Sequence, residues 1–222
     1  MKNKIYTIGI LIFVATAMII SCNLTNKKTE AANLATVKIG TQNWTVNNLS
    51  TCYYRNGDSI PQVQDTTAWE NLITGAWCYY NNNKDNDTVY GKLYNYYAVI
   101  DSRGLAPQGF HIPSDGEWTI LTDFLGGEKE AGTKMKTTSG WENDSLKNGN
   151  GNNSSGFAGI PAGFRRYSGS FLKNGLTGIW WSKTEGNSNY SWSRFLSNAN
   201  GFVNRHGDCK KKAGLSVRCL KD

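Results

Sequence analysis

The stretch Gly109-Phe110-His111-Ile112-Pro113-Ser114-Asp115-Gly116-Glu117-Trp118 constrains this chain more than any other. Pro113 ends any strand before it and biases Ile112 toward extended backbone. Ser114 then stands where a helix N-cap belongs, and Glu117 follows three residues later. In that arrangement each side chain satisfies a backbone N–H that the helix start leaves unpaired, a capping box. Asp115 and Glu117 also suit the positive end of the helix dipole. Trp118, Leu121, Phe124 and Leu125 recur at helical spacing and predict one buried face, and Gly126-Gly127 predicts the stop. The segment reads as a strand-to-helix junction that drives Trp118 into a core. It speaks to fold and says little about chemistry.

The N-terminus reads as a targeting signal. Lys2 and Lys4 precede an apolar run from Ile5 to Ile20, closed by Ile19-Ile20-Ser21-Cys22. This resembles the bacterial lipobox, in which the cysteine is lipidated and becomes the first mature residue. The run is short for a membrane span, and a small residue before the cysteine fits cleavage. The expected organisation is a signal peptide over 1–21, a polar flexible tether over 22–35, and one domain over 36–222. Lipidation of Cys22 makes the membrane a partner and places the protein in the cell envelope, at the outer membrane or cell surface. The formal net charge is +7, with Lys2 and Lys4 in the leader. In an exported protein such an excess points to anionic surfaces or glycans, not nucleic acid, and an ordinary solubilising surface gives the same number.

Beyond Cys22 stand Cys52, Cys78, Cys209 and Cys219. Four cysteines in an oxidising compartment permit two disulfides in three pairings. Pairing nearest neighbours gives Cys209–Cys219 and Cys52–Cys78; the alternative is buried free thiols. None lies in a CxxC, which disfavours a zinc or redox site.

Alternation of Val37 and Ile39 with Trp44 and Val46 around Gly40 predicts a hairpin. Thr66 to Thr74 reads as a short helix carrying Trp69 and Leu72, and Ala76 to Tyr80 as a strand. Tyr90 to Ile100 is ambiguous between helix and strand. A second helix is expected over Glu128 to Met135, then a Gly/Asn/Ser-rich loop with Trp141 embedded. Strands follow over Phe157–Phe164, Ser170–Leu172, Gly178–Lys183 and Tyr190–Leu196. Gly201–Arg205 completes a hairpin with the last of these, and Leu215 to Leu220 alternates as a terminal strand. Strands first, helices in the middle and an antiparallel return predict α+β with segregated elements.

Several motifs in order resemble the Fibrobacter succinogenes major paralogous domain (FISUMP) family. They are Val37-x-Ile39-Gly40-x-Gln42-x-Trp44, Tyr90-Gly91-Lys92-Leu93-Tyr94-Asn95-Tyr96-Tyr97-Ala98, and the Gly109–Trp118 stretch. Ala131-Gly132-x-Lys134, Ser155-Gly156-Phe157 with Pro161-Ala162-Gly163, Trp180-Trp181-Ser182 and Ser216-Val217-Arg218-Cys219 complete the series. Members are often lipoproteins or secreted proteins with no assigned activity, and many carry a cysteine where this chain has Gln108. More distantly, Gly109-Phe110-His111-Ile112-Pro113-Ser114-x-x-Glu117-Trp118 is similar to a signature of formylglycine-generating enzymes. That resemblance implies a C-type-lectin-like fold: two helices against short antiparallel sheets, with the termini close together.

The enzyme alternative, a formylglycine-generating-enzyme-like oxidase, implies two closely spaced copper-binding cysteines. Only Cys209 and Cys219 are candidates, and their surroundings do not match. His111 and His206 are the only histidines, too few for a facial triad without a nearby carboxylate. His111, beside the capping box, reads as structural, and His206 as solvent-facing. No nucleophile elbow or phosphate loop is present. No cofactor or metal site is expected; the Asn81–Asp87 loop makes calcium conceivable, without EF-hand spacing or lectin sugar motifs. The expected function is non-catalytic binding or adhesion, to glycan or another surface protein, with a purely structural envelope role as a third reading. Candidate binding residues are Trp141, in its polar loop, and Arg165, Arg166 and Tyr167, in the turn after Gly163. The Lys210-Lys211-Lys212 run reads as a solvated loop able to meet anionic glycan.

Overall fold

The structure is a computed structural model that describes residues 34–143 and 148–222. The expected signal peptide, the expected lipidation residue Cys22 and all but the last two residues of the expected tether lie outside the described residues.

The opening hairpin forms as expected. β1 (Thr36–Ile39) pairs antiparallel with β2 (Gln42–Thr45), and Gly40 takes a left-handed φ of 61° that an L side chain rarely adopts. α1 (Thr66–Glu70) is shorter than expected, capped by the Asp65 carboxylate accepting from the Ala68 amide. β3 (Trp77–Cys78) pairs with β4 (Leu93–Tyr94). The ambiguous 90–100 stretch resolves into both elements. α2 (Asp87–Tyr90) ends at Gly91 (φ 70°), β4 follows, and α3 (Tyr96–Val99) starts at Asn95, whose side chain caps the Ala98 amide and also binds Ala76 N–H.

The organising junction is built as expected. β5 (Phe110–His111) precedes α4 (Asp115–Phe124); Ser114 Oγ accepts from Glu117 N–H at 3.2 Å, and Glu117 accepts from Ser114 N–H at 2.7 Å. Ser114→Ala is expected to cost about 1 kcal/mol. An unchanged urea midpoint would mean that packing alone fixes the helix start. Trp118, Leu121 and Leu125 are buried, but Phe124 is 63% exposed. At the helical repeat Phe124 points about 120° away from Trp118, off the stripe that Leu121, Thr122 and Leu125 share with it. α5 (Ala131–Met135) buries both ends of its four-residue spacing.

The rest is β. β6 (Phe164–Arg165) and β7 (Phe171–Leu172) form a hairpin, and β8 (Thr177–Glu185), β9 (Tyr190–Ser197) and β10 (Val203–Lys210) form a three-stranded antiparallel sheet in the order β10-β9-β8. β11 (Leu220–Lys221) inserts between β2 and β5 in a four-stranded sheet, β1-β2-β11-β5. The first and last strands of the described body therefore share a sheet. The architecture is α+β, with short antiparallel sheets and few helices.

The expected terminal strand over Leu215 to Leu220 is mostly irregular. Its alternation is real, but Ser216 and Arg218 are as buried as Leu215 and Val217. The segment runs between both sheets: Leu215 N–H donates to Tyr94, Ser216 N–H to Ile179, and Val217 accepts from Leu49 N–H. Arg218 donates to the carbonyls of Thr45, Val46, Phe157 and Ala158 and to Asn48 Oδ1, which also accepts from Trp180 Nε1 at 2.8 Å. Beside this hub Trp44, Trp118, Phe157 and Trp180 form one aromatic cluster. Trp118 stands 4.5 Å from Trp44 between ring centroids, 5.8 Å from Phe157 and 6.4 Å from Trp180. Three core clusters are built among the described residues. Among the described residues no helix is long and apolar enough to cross a membrane.

The expected disulfides are corrected. Cys78, Cys209 and Cys219 carry free thiols, so neither Cys52–Cys78 nor Cys209–Cys219 is formed. Cys78 packs with Trp69 and Tyr80, in a different cluster from Cys52. Cys209 lies opposite Ser191 on β10, while Cys219 is tied to Thr45 in the other sheet. Nearness in sequence did not become nearness of the right geometry.

Candidate functional site

Strand alternation splits the Arg165-Arg166-Tyr167 candidates. Arg165, in β6, points inward and is fully buried. Its guanidinium donates to the carbonyls of Gly169, Val63 and Gln64 and stacks 4.3 Å over Trp69. It is a structural bolt, which corrects its assignment to binding. The turn closes through Arg166 N–H to Ser170 O and Gly169 N–H to Arg166 O, with Gly169 at φ 89°. This tip throws Arg166 and Tyr167 into solvent, Tyr167 at 47% exposure.

Trp141 is also corrected. It is 3% exposed, and its indole N–H donates to Gly159 O and Thr137 Oγ1. The polar composition of its loop misled because the loop wraps a buried cation. Lys136 Nζ donates to the carbonyls of Gly149, Ser197 and Asn200 and lies 5.2 Å over the Trp141 ring. Burial pulls the Lys136 ammonium from 10.5 down to about 8. Between those values the unfolded chain binds the extra proton, so this group makes stability rise with pH across that window. Wild type is expected to gain on Lys136→Met between pH 8 and 10.5 in parallel urea titrations; a constant difference would mean the amine stays charged.

Arg166 and Tyr167 line a cleft of about 300 Å³ against the β8–β10 sheet. Its floor is apolar: Phe164, Ile179, Phe195, Ala213 and Leu215. Its rim adds His206, Asp208, Cys209 and Lys210 from β10. A bulge brings these residues together. His206 faces Ser193 and Cys209 faces Ser191, so Gly207 and Asp208 oppose Trp192 alone. Without the extra residue His206 and Cys209, three apart, would point to opposite faces. Gly207 is needed there, since a Cβ would sit 2.9 Å from the Trp192 ring.

The rim is basic. Lys210 Nζ lies 4.4 Å over the Tyr190 ring and 5.8 Å from Tyr167, and the Arg166 side chain makes no ion pair or hydrogen bond among the described residues. Tyr167 and Lys210 also border a second groove of about 230 Å³ with Tyr97, Asn189, Lys211 and Lys212. The lysine run is not the solvated loop expected. Lys211 is buried, paired with Glu185 and 5.6 Å over Tyr96, and Lys212 donates to Glu70 O. Lys210 alone is left to face the cleft.

Burial and the neighbouring Asp208 push the Cys209 thiol up to about 12, so it is protonated in the neutral range. His206 Nδ1 stands 3.6 Å from Asp208, beyond a hydrogen bond. His111 binds Glu117 through Nε2 at 2.8 Å and Asp222 through Nδ1 at 2.7 Å, beside the capping box. In the Asn81–Asp87 loop, Asn82 and Asn86 donate to backbone carbonyls, Asn83 caps Asp85, and Asp87 pairs with Lys92. No group of three or more His, Cys, Asp or Glu side chains converges as for a metal among the described residues.

Sequence reasoning missed Phe195, His206, Asp208 and Cys209. Alternation of Ser193 and Phe195 carried a signal for one face of β9, but the bulge that turns β10 toward it has none.

No curated protein and no solved structure matches the chain. The family model of the Fibrobacter succinogenes major domain matches residues 37–221, nearly the whole described body. The chain belongs to the Fibrobacter succinogenes major domain family.

Proposed function

We propose that this is a lipid-anchored envelope protein, held at the outer membrane or cell surface through Cys22, whose domain binds a surface glycan or protein without catalysis and without a cofactor. The cleft carries this reading. An apolar floor ringed by Arg166, Tyr167 and Lys210 offers contact area and charge, and the one thiol at its edge is held protonated. Pre-formed concave sites with few polar groups are how folds of this size recognise ligands. The shared sheet of the first and last strands and the helices set against short antiparallel sheets support a C-type-lectin-like arrangement.

Two experiments test it. Palmitate labelling of the full chain in its native envelope should vanish in Cys22→Ser; persistence would remove the anchor. The chain from residue 22, carrying Cys22→Ser, should bind members of a glycan array or an isolated envelope fraction. Tyr167→Ala should weaken that binding about tenfold, as loss of an aromatic contact does. Binding that ignores Tyr167→Ala would displace the site from the cleft.

A further inference from the structure

We propose that the cleft selects an apolar carboxylate: a group of phenyl or leucyl size seated on the floor, with an anionic head at the Arg166–Lys210 rim. This rests on the binding reading above and narrows its ligand from glycan or protein to an apolar acid group, with a bare sugar ring disfavoured at this site.

The floor argues for the apolar body. Ile179, Ala213 and Leu215 are buried core residues whose remaining surface opens here, and Phe164 and Phe195 are half-buried beside them. A sugar ring presents hydroxyls all round, and between the apolar floor residues only Ser193 adds a hydroxyl to meet them. Desolvating hydroxyls without partners costs more than the stacking returns. An aliphatic or aromatic group loses nothing and gains the burial. The cavity of about 300 Å³ lies at the small end of ligand sites, which suits one such group.

The rim argues for the head. Arg166 has a guanidinium without a partner among the described residues, and its fork matches a carboxylate. Lys210 lies across the mouth on Tyr190 and Tyr167. Asp208 opposes them from the same rim with an 83% exposed side chain, and two cations against one carboxylate leave the rim one positive charge in excess. His206, half-exposed, packs edge-on to Phe195 and closes the remaining side. A neutral ligand leaves Arg166 and Lys210 idle, and a head without an apolar body leaves the floor wet.

The chemistry fits two sources, a free small acid or the C-terminus of a peptide ending in an apolar residue. The test is a ¹⁵N–¹H NMR titration of the Cys22→Ser chain from residue 22. Four probes are compared: 4-phenylbutyrate, 4-phenylbutan-1-ol, N-acetyl-Gly-Gly-Phe, and the same peptide as its amide. The expected result is saturable shifts at Phe195, Ala213 and Leu215 with 4-phenylbutyrate, and binding of the alcohol about tenfold weaker, the effect of one charge-assisted pair. Lys210→Gln combined with Arg166→Gln, both at exposed positions, should erase the difference between acid and alcohol. A peptide acid that outbinds 4-phenylbutyrate while its amide does not assigns the site to chain ends; equal binding of the two acids assigns it to small acids. Equal binding of acid and alcohol, or shifts away from the floor, overturns the proposal. If the acids fail while Tyr167→Ala still weakens array or envelope binding, this inference falls and the binding reading stands. If both fail, the binding reading falls too.

Discussion

Arg218→Met should leave the protein unfolded or stripped of most of its stability. The guanidinium is fully buried and is the shared donor for four main-chain carbonyls and Asn48 Oδ1. Methionine fills the volume but donates nothing. Each buried acceptor left without a partner costs about 1–3 kcal/mol. Asn48 Oδ1 keeps its bond from Trp180, but with the four carbonyls losing this donor the sum even at the low end approaches the roughly 5–15 kcal/mol that holds a domain of this kind folded. Arg218→Lys should recover little, because a compact ammonium cannot span carbonyls from two chain segments as the planar guanidinium does. Urea unfolding followed by near-ultraviolet dichroism reads both the stability and the packing of Trp44, Trp118 and Trp180. A midpoint for Arg218→Met within error of wild type would mean that water replaces the guanidinium and that the hub is dispensable.

That hub marks the boundary of what the sequence disclosed. Elements fixed by neighbours in the chain were legible: the Ser114/Glu117 clasp, the Gly40 hairpin and the β9–β10 hairpin each depend on residues a few positions apart. Arg218 was not, because its partners are Thr45, Asn48 and Phe157, far along the chain. Alternation in 215–220 suggested a terminal strand, yet only Leu220 joins one, and Ser216 and Arg218 are as buried as their apolar neighbours. A two-faced strap and a one-faced strand share the same period, and only the second sheet lying across it tells them apart. Trp141 failed for a related reason. Its loop is polar in composition, but the polarity is turned inward, onto Lys136 and the carbonyls around it. Arg166 and Tyr167 were legible because a Gly-rich turn after a short strand places its tip outside. The cleft they border was not, since its floor comes from β6, β8, β9 and the 213–215 strap.

Asp115→Asn is expected to cost about 3–5 kcal/mol, the usual consequence of taking one partner from a buried ion pair. Asp115 opens α4, and its carboxylate joins that helix to two strands: Arg194 Nη1 reaches it at 2.6 Å from β9, and Arg205 at 2.6 Å from β10. Helix-dipole reasoning assigned Asp115 to the first turn, but that role is the smaller part. Arg194 is 2% exposed, so an amide opposite it leaves a buried guanidinium uncompensated. Arg205 is half in solvent and stacks 4.0 Å over Trp192, so Arg205→Ala should cost only about 0–1 kcal/mol. The asymmetry between the two arginines is the diagnostic. Acid titration adds an independent readout. Burial pushes the Asp115 carboxyl up, but the hydrogen bonds from Arg205 and Arg194 outweigh it and hold its pKa below the usual carboxylate range. A depressed folded pKa gives stability that is complete above the unfolded value of about 3.9 and is lost as pH falls through the folded one. Wild type should therefore converge on Asp115→Asn below about pH 4, after differing by a constant amount from pH 5 to 8. A gap that persists into acid would show that the charge on Asp115 does not carry the cost of Asp115→Asn.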